Sequence, residues 1–372
     1  MQGTVASGFE HVADALERVL EESAGGAAFA AYAGGDRVVD LWGGRADDEA
    51  ETPWDQDTIQ LVFSGTKGVV ATCLLLLVDR GLLDLDAPVS SYWPEFAAEG
   101  KGEITVAEAV SHMAAVPGLR GGFTPDDLLD PVRMSARTAA EAPFWEPGTH
   151  VAYHALTYGW ICDALLRRVD GRSVGRFFAD EVAAPLGLDL WIGLPEDREE
   201  RVARLVPAAD YGITYLGDEP EPLLEAVYGS IIGGVGWNES RFHRAEIPGA
   251  NAIGDARSIA RLYGCLAGGG EFDGVRLLSE ETVRRGHEEL SRGLCRITRR
   301  PYAFAVGFEL QTELMRFGSP LTAFGHTGSG GSTHGCWPDE GVGFSYAMTE
   351  LWPEARDDRG NRLLAALAAS LS

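Results

Sequence analysis

Apolar strands at both ends of the chain, with a run of helical signals between them, predict an α+β protein. Three observations carry that prediction. Residues 27–47, AAFAAYAGGDRVVDLWGGRAD, alternate around a Gly-Gly-Asp turn as a β-hairpin does. The stretches YAFAVGFEL (302–310), LTAFGHTG (321–328) and GVGFSYAMTEL (341–351) read as further strands. From about 82 to 265 the signals are mainly helical and loop-rich. The terminal pieces must then share one sheet, with the middle inserted as a second, mainly helical lobe. The expected division is 1–81 with 266–372 for the sheet-bearing lobe and 82–265 for the helical one.

The elements follow in order. The opening, MQGTVASGFEHVADALERVLEES, reads as an amphipathic surface helix. After the hairpin, residues 66–80 form a strongly apolar helix that Gly81 ends as a C-terminal cap. ITVAEAVSHM, LTYGWICDALLRRV, VGRFFADEVAAPL and DARSIARLYGCLA supply the helices of the middle, and NRLLAALAASL closes the chain after the last strand. No internal repeat or low-complexity segment interrupts this order.

Composition narrows the function classes. In 372 residues there are 31 Lys plus Arg against 56 Asp plus Glu, a formal net charge of −25. Nucleic acid and anionic membrane both need basic surface, so neither is an expected partner. The longest apolar run, GVVATCLLLLV at 68–78, is too short to span a bilayer. The start of the chain lacks the basic and apolar regions of a secretory signal. The five cysteines, Cys73, Cys162, Cys265, Cys295 and Cys336, are odd in number and scattered, as a reducing compartment permits. A soluble, cytoplasmic protein is expected. The eight histidines show no HExxH pattern and no close His/Asp/Cys set, so no metal or other cofactor is expected.

Only two of the basic residues are lysines, Lys67 and Lys101. Lys67 lies in LVFSGTKGVV, an apolar stretch, three residues after Ser64. At the start of a helix that spacing puts both side chains on one face. A serine hydroxyl is a poor nucleophile until a base takes its proton, and a desolvated lysine amine can be that base. Arginine cannot, because its guanidinium stays protonated. The helix N-terminus adds N–H groups suited to an oxyanion. A Ser three residues before one of two lysines arises by chance in roughly one sequence in ten, so the pair alone is a weak motif.

Two further stretches give it company. FWEPGTHVAYHALTYGW (144–160) places Tyr153 just before a helix, after a Pro-Gly turn, and FGHTGSGG (324–331) runs a strand into glycines. In that order and spacing, S-x-x-K, Tyr and a His-Thr-Gly strand resemble the serine β-lactamase/penicillin-binding-protein superfamily. The phrases YWPEFAAEGKGEITVAEAVSHMAAVPGL, EPGTHVAYHALTYGW, VDGRSVGRFFADEVAAPLGLDLWIGLP and ARSIARLYGCLAGGGEFDGVRLLS are similar to its class C-like branch, which holds the family VIII carboxylesterases. The resemblance implies a β-lactamase/DD-peptidase-like fold, an antiparallel sheet flanked by helices plus the inserted helical lobe, with the active site between the two lobes. It implies Ser64 as the acyl-forming nucleophile, Lys67 as its proton partner and Tyr153 as the group passing a proton to the leaving group. The N–H groups of Ser64 and Ser329 are implied as the oxyanion hole, with His326 and Gly328 beside the substrate.

Two departures bear on substrate. Ala155 stands where β-lactamases carry an Asn that bonds a substrate amide, and His326 stands where they carry a Lys. Both remove groups specific to penicillins and leave acyl transfer intact. The expected activity is therefore serine hydrolysis of small carboxylic esters, with weak or no action on β-lactams. Capture of the acyl group by an alcohol or amine, as in an acyltransferase, is the alternative in the same chemistry; a non-catalytic binding protein is a further one. GRSVG (171–175) matches a nucleophile elbow, but the helical pattern before it makes Ser173 a helix N-cap. His150 and His154 flank Tyr153; the expected reading is loop histidines with no role, the alternative that they tune it. Trp237, Phe242 and Trp337 are candidates for an acyl pocket or for core.

Overall fold

The computed structural model describes residues 1–212, 222–232 and 235–371. Its centre is a nine-stranded antiparallel sheet. The strands are β1 (Gln2–Val5), β2 (Ala27–Ala33), β3 (Asp36–Gly43), β4 (Ser291–Leu294), β5 (Pro301–Phe304), β6 (Glu309–Leu310), β7 (Phe324–Thr327), β8 (Thr333–Trp337) and β9 (Val342–Met348). They lie in the order β1-β3-β2-β9-β8-β7-β6-β5-β4. The two ends of the chain meet where β2 pairs with β9, Ala27 opposite Met348 and Ala33 opposite Val342. The expected β-hairpin is β2 and β3, joined by Gly34 and Gly35 at φ +58° and +91°, the conformation a two-residue turn demands.

Three sequence expectations differ in detail. The chain begins with an edge strand before its first helix, α1 (Glu10–Glu22). Gly3, at φ +114°, makes this possible: a Cβ there would lie 2.0 Å from the Asp40 carbonyl oxygen on the neighbouring strand. The stretch 302–310 is a hairpin of β5 and β6 instead of one strand. Gly307 turns it at φ +75°, and a Cβ at that point would collide with the Tyr158 hydroxyl. Strand β4, SRGL, carries too little apolar pattern to be foreseen.

Helices cover both faces of the sheet. On one, α1 and α5 (Arg359–Ser370) pack Val12, Leu16, Val19, Leu363 and Leu367 against Phe29, Phe344 and Tyr346. On the other lie α2 (Thr66–Asp79) and α4 (Ala256–Ala267). Helix α2 is buried on every side from Thr66 to Leu77, which accounts for its unbroken apolar run. Helix α4 packs on β2, β8 and β9, so it belongs with the sheet although most of it lies in the 82–265 segment. Gly343 lets it approach, since a Cβ there would meet the Gly264 backbone at 2.1 Å. Helix α3 (Thr157–Val169), from the middle of the chain, packs on α2. Among the described residues no helix is long and apolar enough to cross a membrane. The five cysteines are buried free thiols.

Candidate active site

Ser64 stands at the turn into α2, after a residue in an unusual conformation. Phe63 has φ +46°, uncommon for a bulky side chain and a feature that gathers at functional sites. Thr66 locks this turn: its hydroxyl donates to the Phe63 carbonyl (2.5 Å) and accepts the Ala252 N–H (2.7 Å). The glycines of SGTKG are there for close approach. A Cβ on Gly65 would meet the His334 ring at 2.6 Å, and one on Gly68 the Tyr263 hydroxyl at 2.0 Å.

Lys67 is fully buried. Its Nζ lies 3.0 Å from Ser64 Oγ, 2.8 Å from the Ala155 carbonyl and 2.8 Å from the Gly249 carbonyl. Burial pushes its pKa down to about 7, against the opposing pull of groups that include the Glu309 carboxylate. Two N–H groups satisfy the two carbonyls in either protonation state. Toward Ser64 the ammonium donates its third hydrogen to Oγ, and the amine that the lowered pKa makes available turns its lone pair to the hydroxyl proton instead. Nζ also sits 4.9 Å from the centre of the Tyr153 ring. That ring stacks on Tyr302 (5.7 Å between centres) and Phe304 (6.2 Å), and packs against His112 and His326.

The third stretch forms the opposite wall. His326, at the end of β7, is buried, and burial beside Lys67 pushes its pKa down to about 3, so it is neutral. Its Nδ1–H donates to the Thr327 carbonyl (2.8 Å). Gly328 contributes space more than a donor. Its N–H is given to the Ser332 carbonyl (2.8 Å), and a Cβ would lie 2.3 Å from the Val62 carbonyl oxygen. Ser329 is exposed, and its Oγ shares a 2.7 Å hydrogen bond with the Tyr211 hydroxyl. Among the described residues the N–H groups of Ser64 and Ser329 donate to no protein acceptor, which leaves them open to an oxyanion.

Ser64, Tyr153, Tyr211, Tyr302, His326 and Ser329 all line one cavity of about 180 Å³. The sequence candidates therefore converge. Ala155 serves the site through its backbone, as an acceptor for Lys67. Trp237, Phe242 and Trp337 do not line the cavity. Phe242 and Trp337 are core, and Trp237 packs edge-on to Phe63. Ser173 caps a short helix, accepting the Arg176 N–H and donating to Glu246. His150 is exposed. His154 is not an idle loop residue: it is buried, donates from Nδ1 to the Ala152 carbonyl and accepts the Val116 N–H at Nε2.

Sequence reasoning missed Glu309 and Arg316 on the cavity wall. Arg316 pairs with Glu309 (3.0 Å) and Glu354 (2.6 Å), stands 3.5 Å from Thr327 Oγ1, and lies over the Tyr302 ring. Glu309 in turn accepts the Thr327 hydroxyl (3.0 Å). A carboxylate inside the apolar stretch VGFEL was the available signal. Among the described residues no three His, Cys, Asp or Glu side chains gather to hold a metal.

Residues 12–369 match the family described as Beta-lactamase. The chain belongs to that family. It is 40% identical over 344 residues to the esterase/beta-lactamase LipL of Mycobacterium tuberculosis, covering 88% of this chain and 77% of that one. A family VIII carboxylesterase of known structure superposes with a TM-score of 0.93 at 36% identity over 99% of both chains. A penicillin-binding protein homologue from Caulobacter crescentus superposes equally well, at 35% identity over 99% of both. The antiparallel sheet and flanking helices are this family's fold.

Proposed function

We propose that this family member is a serine hydrolase that cleaves small carboxylic esters through an acyl-enzyme on Ser64. One observation carries the reading. A buried lysine amine, with two carbonyls to take its hydrogens, sits 3.0 Å from a serine hydroxyl facing a small cavity. The similarity to a family VIII carboxylesterase supports the choice of ester, and the esterase/beta-lactamase relative is named for ester and lactam chemistry alike.

The steps follow from the chemistry of these groups. Ser64 Oγ attacks the ester carbonyl carbon while its proton passes to Lys67 Nζ. The carbonyl oxygen becomes an oxyanion, received by the N–H groups of Ser64 and Ser329. As the intermediate collapses, the C–O bond to the alcohol breaks, and the departing oxygen takes a proton through Tyr153. Water then attacks the acyl group, giving up a proton to the same base and releasing the carboxylic acid and Ser64. At a pKa of about 7 the amine form of Lys67 is about half the population at pH 7.

Turnover of β-lactams is expected to be slow. Ala155 offers no side-chain amide, and neutral His326 offers no cation to a carboxylate. The guanidinium beside Thr327, that of Arg316, is already shared between Glu309 and Glu354. Hydrolysis of p-nitrophenyl acetate, followed by intact-mass and peptide mapping of the trapped acyl-enzyme, tests the proposal. The acyl mass is expected on Ser64. A label on Ser173, or full activity in Ser64→Ala, would overturn it.

A further inference from the structure

Tyr153 is held in a way its own side chain does not explain. The peptide on each side of it is bound by a single residue, His112. The His112 carbonyl accepts the Ala152 N–H (3.1 Å), and its ring Nδ1 accepts the His154 N–H (3.0 Å). The N–H of Tyr153 itself goes to Cys295 Sγ (3.3 Å). The His112 ring also packs against the Tyr153 ring, 5.0 Å between centres, and edge-on to Phe304 at 4.2 Å.

His112 is unfavourable where it stands, in two respects. Its φ is +65°, the left-handed region that residues other than glycine seldom occupy, although histidine does so more readily than most. Because Nδ1 accepts, the proton is on Nε2, and that atom is buried with no hydrogen-bond partner among the described residues. An apolar ring would avoid the second cost, and a glycine or asparagine the first. Both are borne at the one residue that clamps both neighbours of Tyr153. Strain of this kind points to a function only when something nearby depends on it. Here the His112 carbonyl holds Ala152, and the unprotonated Nδ1 grips His154.

We infer that His112 is a positioning residue: it sets the Tyr153 hydroxyl for proton delivery and so decides whether esters of unactivated alcohols are substrates. The inference rests on the proposed role of Tyr153. An alkoxide from an alkyl ester is too basic to leave without a proton, whereas p-nitrophenolate leaves unaided. A displaced Tyr153 therefore narrows the substrate range to activated esters. A residue needed only for folding would lower both activities together.

The test compares kcat/KM for ethyl acetate and p-nitrophenyl acetate in wild type, Tyr153→Phe, His112→Phe and His112→Asn. Phe keeps the ring and removes the acceptor. Asn keeps an acceptor near the Nδ1 position and tolerates the left-handed backbone. Tyr153→Phe and His112→Phe are expected to lose about 10²-fold or more on ethyl acetate and less than about 5-fold on p-nitrophenyl acetate, while His112→Asn stays within about 5-fold on both. Equal losses on the two esters in His112→Phe, or none on either, would overturn the inference. If the Phe variant does not fold, His112→Ala gives the same comparison. Equal losses in Tyr153→Phe would instead refute the proton-donor role of Tyr153, separately from the clamp.

Discussion

The chain has two lysines, and the fold treats them almost alike. Each is fully buried. Lys67 Nζ binds the carbonyls of Ala155 and Gly249, and Lys101 Nζ those of Ala98 and Glu141, at 2.7 and 2.6 Å. Each lies over an aromatic ring, Tyr153 at 4.9 Å and Phe96 at 5.5 Å. Burial lowers both pKa values. The difference lies in what else is within reach. Three residues before Lys67 is Ser64; three before Lys101 is Ala98, which offers only its carbonyl. The ring over Lys67 has a hydroxyl, whereas Phe96 has none. Lys101 is also steadied as a cation by Glu99 and Glu141. Burial between carbonyls makes a lysine a staple; a hydroxyl in its remaining position is what lets the proposed mechanism use Lys67 as a base.

That contrast breaks most sharply at Lys67. Lys67→Arg keeps the charge and cannot give it up, so ester hydrolysis is expected to fall by about 10⁴-fold or more, as when a nucleophile–base pair is disabled. Lys101→Arg should leave kcat/KM within about 3-fold in the same assay. Converting the active ring to the inert one, Tyr153→Phe, is the next largest effect, about 10²-fold with alkyl esters.

The pH dependence sharpens the comparison further. The free amine of Lys67 appears as pH rises through about 7, so kcat/KM should climb with unit slope below that pH and level above it. Lys101→Met should leave that profile in place. The same shift affects stability. A lysine whose folded pKa is depressed binds fewer protons folded than unfolded between its two pKa values. Its destabilising effect is therefore full below about 7 and is relieved as pH rises toward 10.5. From pH 6 to 8.5 wild type should gain about 2 kcal/mol relative to Lys67→Met, measured by denaturant melts at both pH values. The smallest effect is at the staple. Lys101→Met leaves the Glu141 carbonyl without its donor, while the Ala98 carbonyl keeps the backbone N–H of the same position, and should cost about 1–3 kcal/mol of stability with no loss of turnover.

Much of the site was legible because its parts are local. Ser64 and Lys67 are one helical turn apart, and the turn signals before Tyr153 and after His326 lie within a few residues of them. The sheet was legible from the apolar strands at both ends. What escaped depends on groups distant in sequence. The second half of the cradle for Lys67 is the carbonyl of Gly249, 182 residues away, and a carbonyl has no sequence signature. Arg316 and Glu309 look like ordinary charges until β6 and β7 bring Glu309 beside Thr327. His112 is one histidine in a helical stretch until its backbone angle and the two bonds around Tyr153 are seen. The split of 302–310 into a hairpin turned on Gly307, whose tertiary neighbour Tyr158 forbids a side chain.

The pairing of β2 with β9 has a consequence for how the protein comes to exist. More than 300 residues separate the two strands. At ribosomal rates of about 5–20 residues per second, the first hairpin waits on the order of tens of seconds before its partner has been made. Until then one side of β2 is an open row of hydrogen-bonding groups on an alanine-rich, apolar strand, the kind of edge on which nascent chains aggregate. Ser64 emerges early and Ser329 late, so the oxyanion hole proposed for these two N–H groups cannot form on a partly made chain. Hydrolytic competence should thus arise in a single late step, and the yield of active protein should respond to chaperones acting during synthesis.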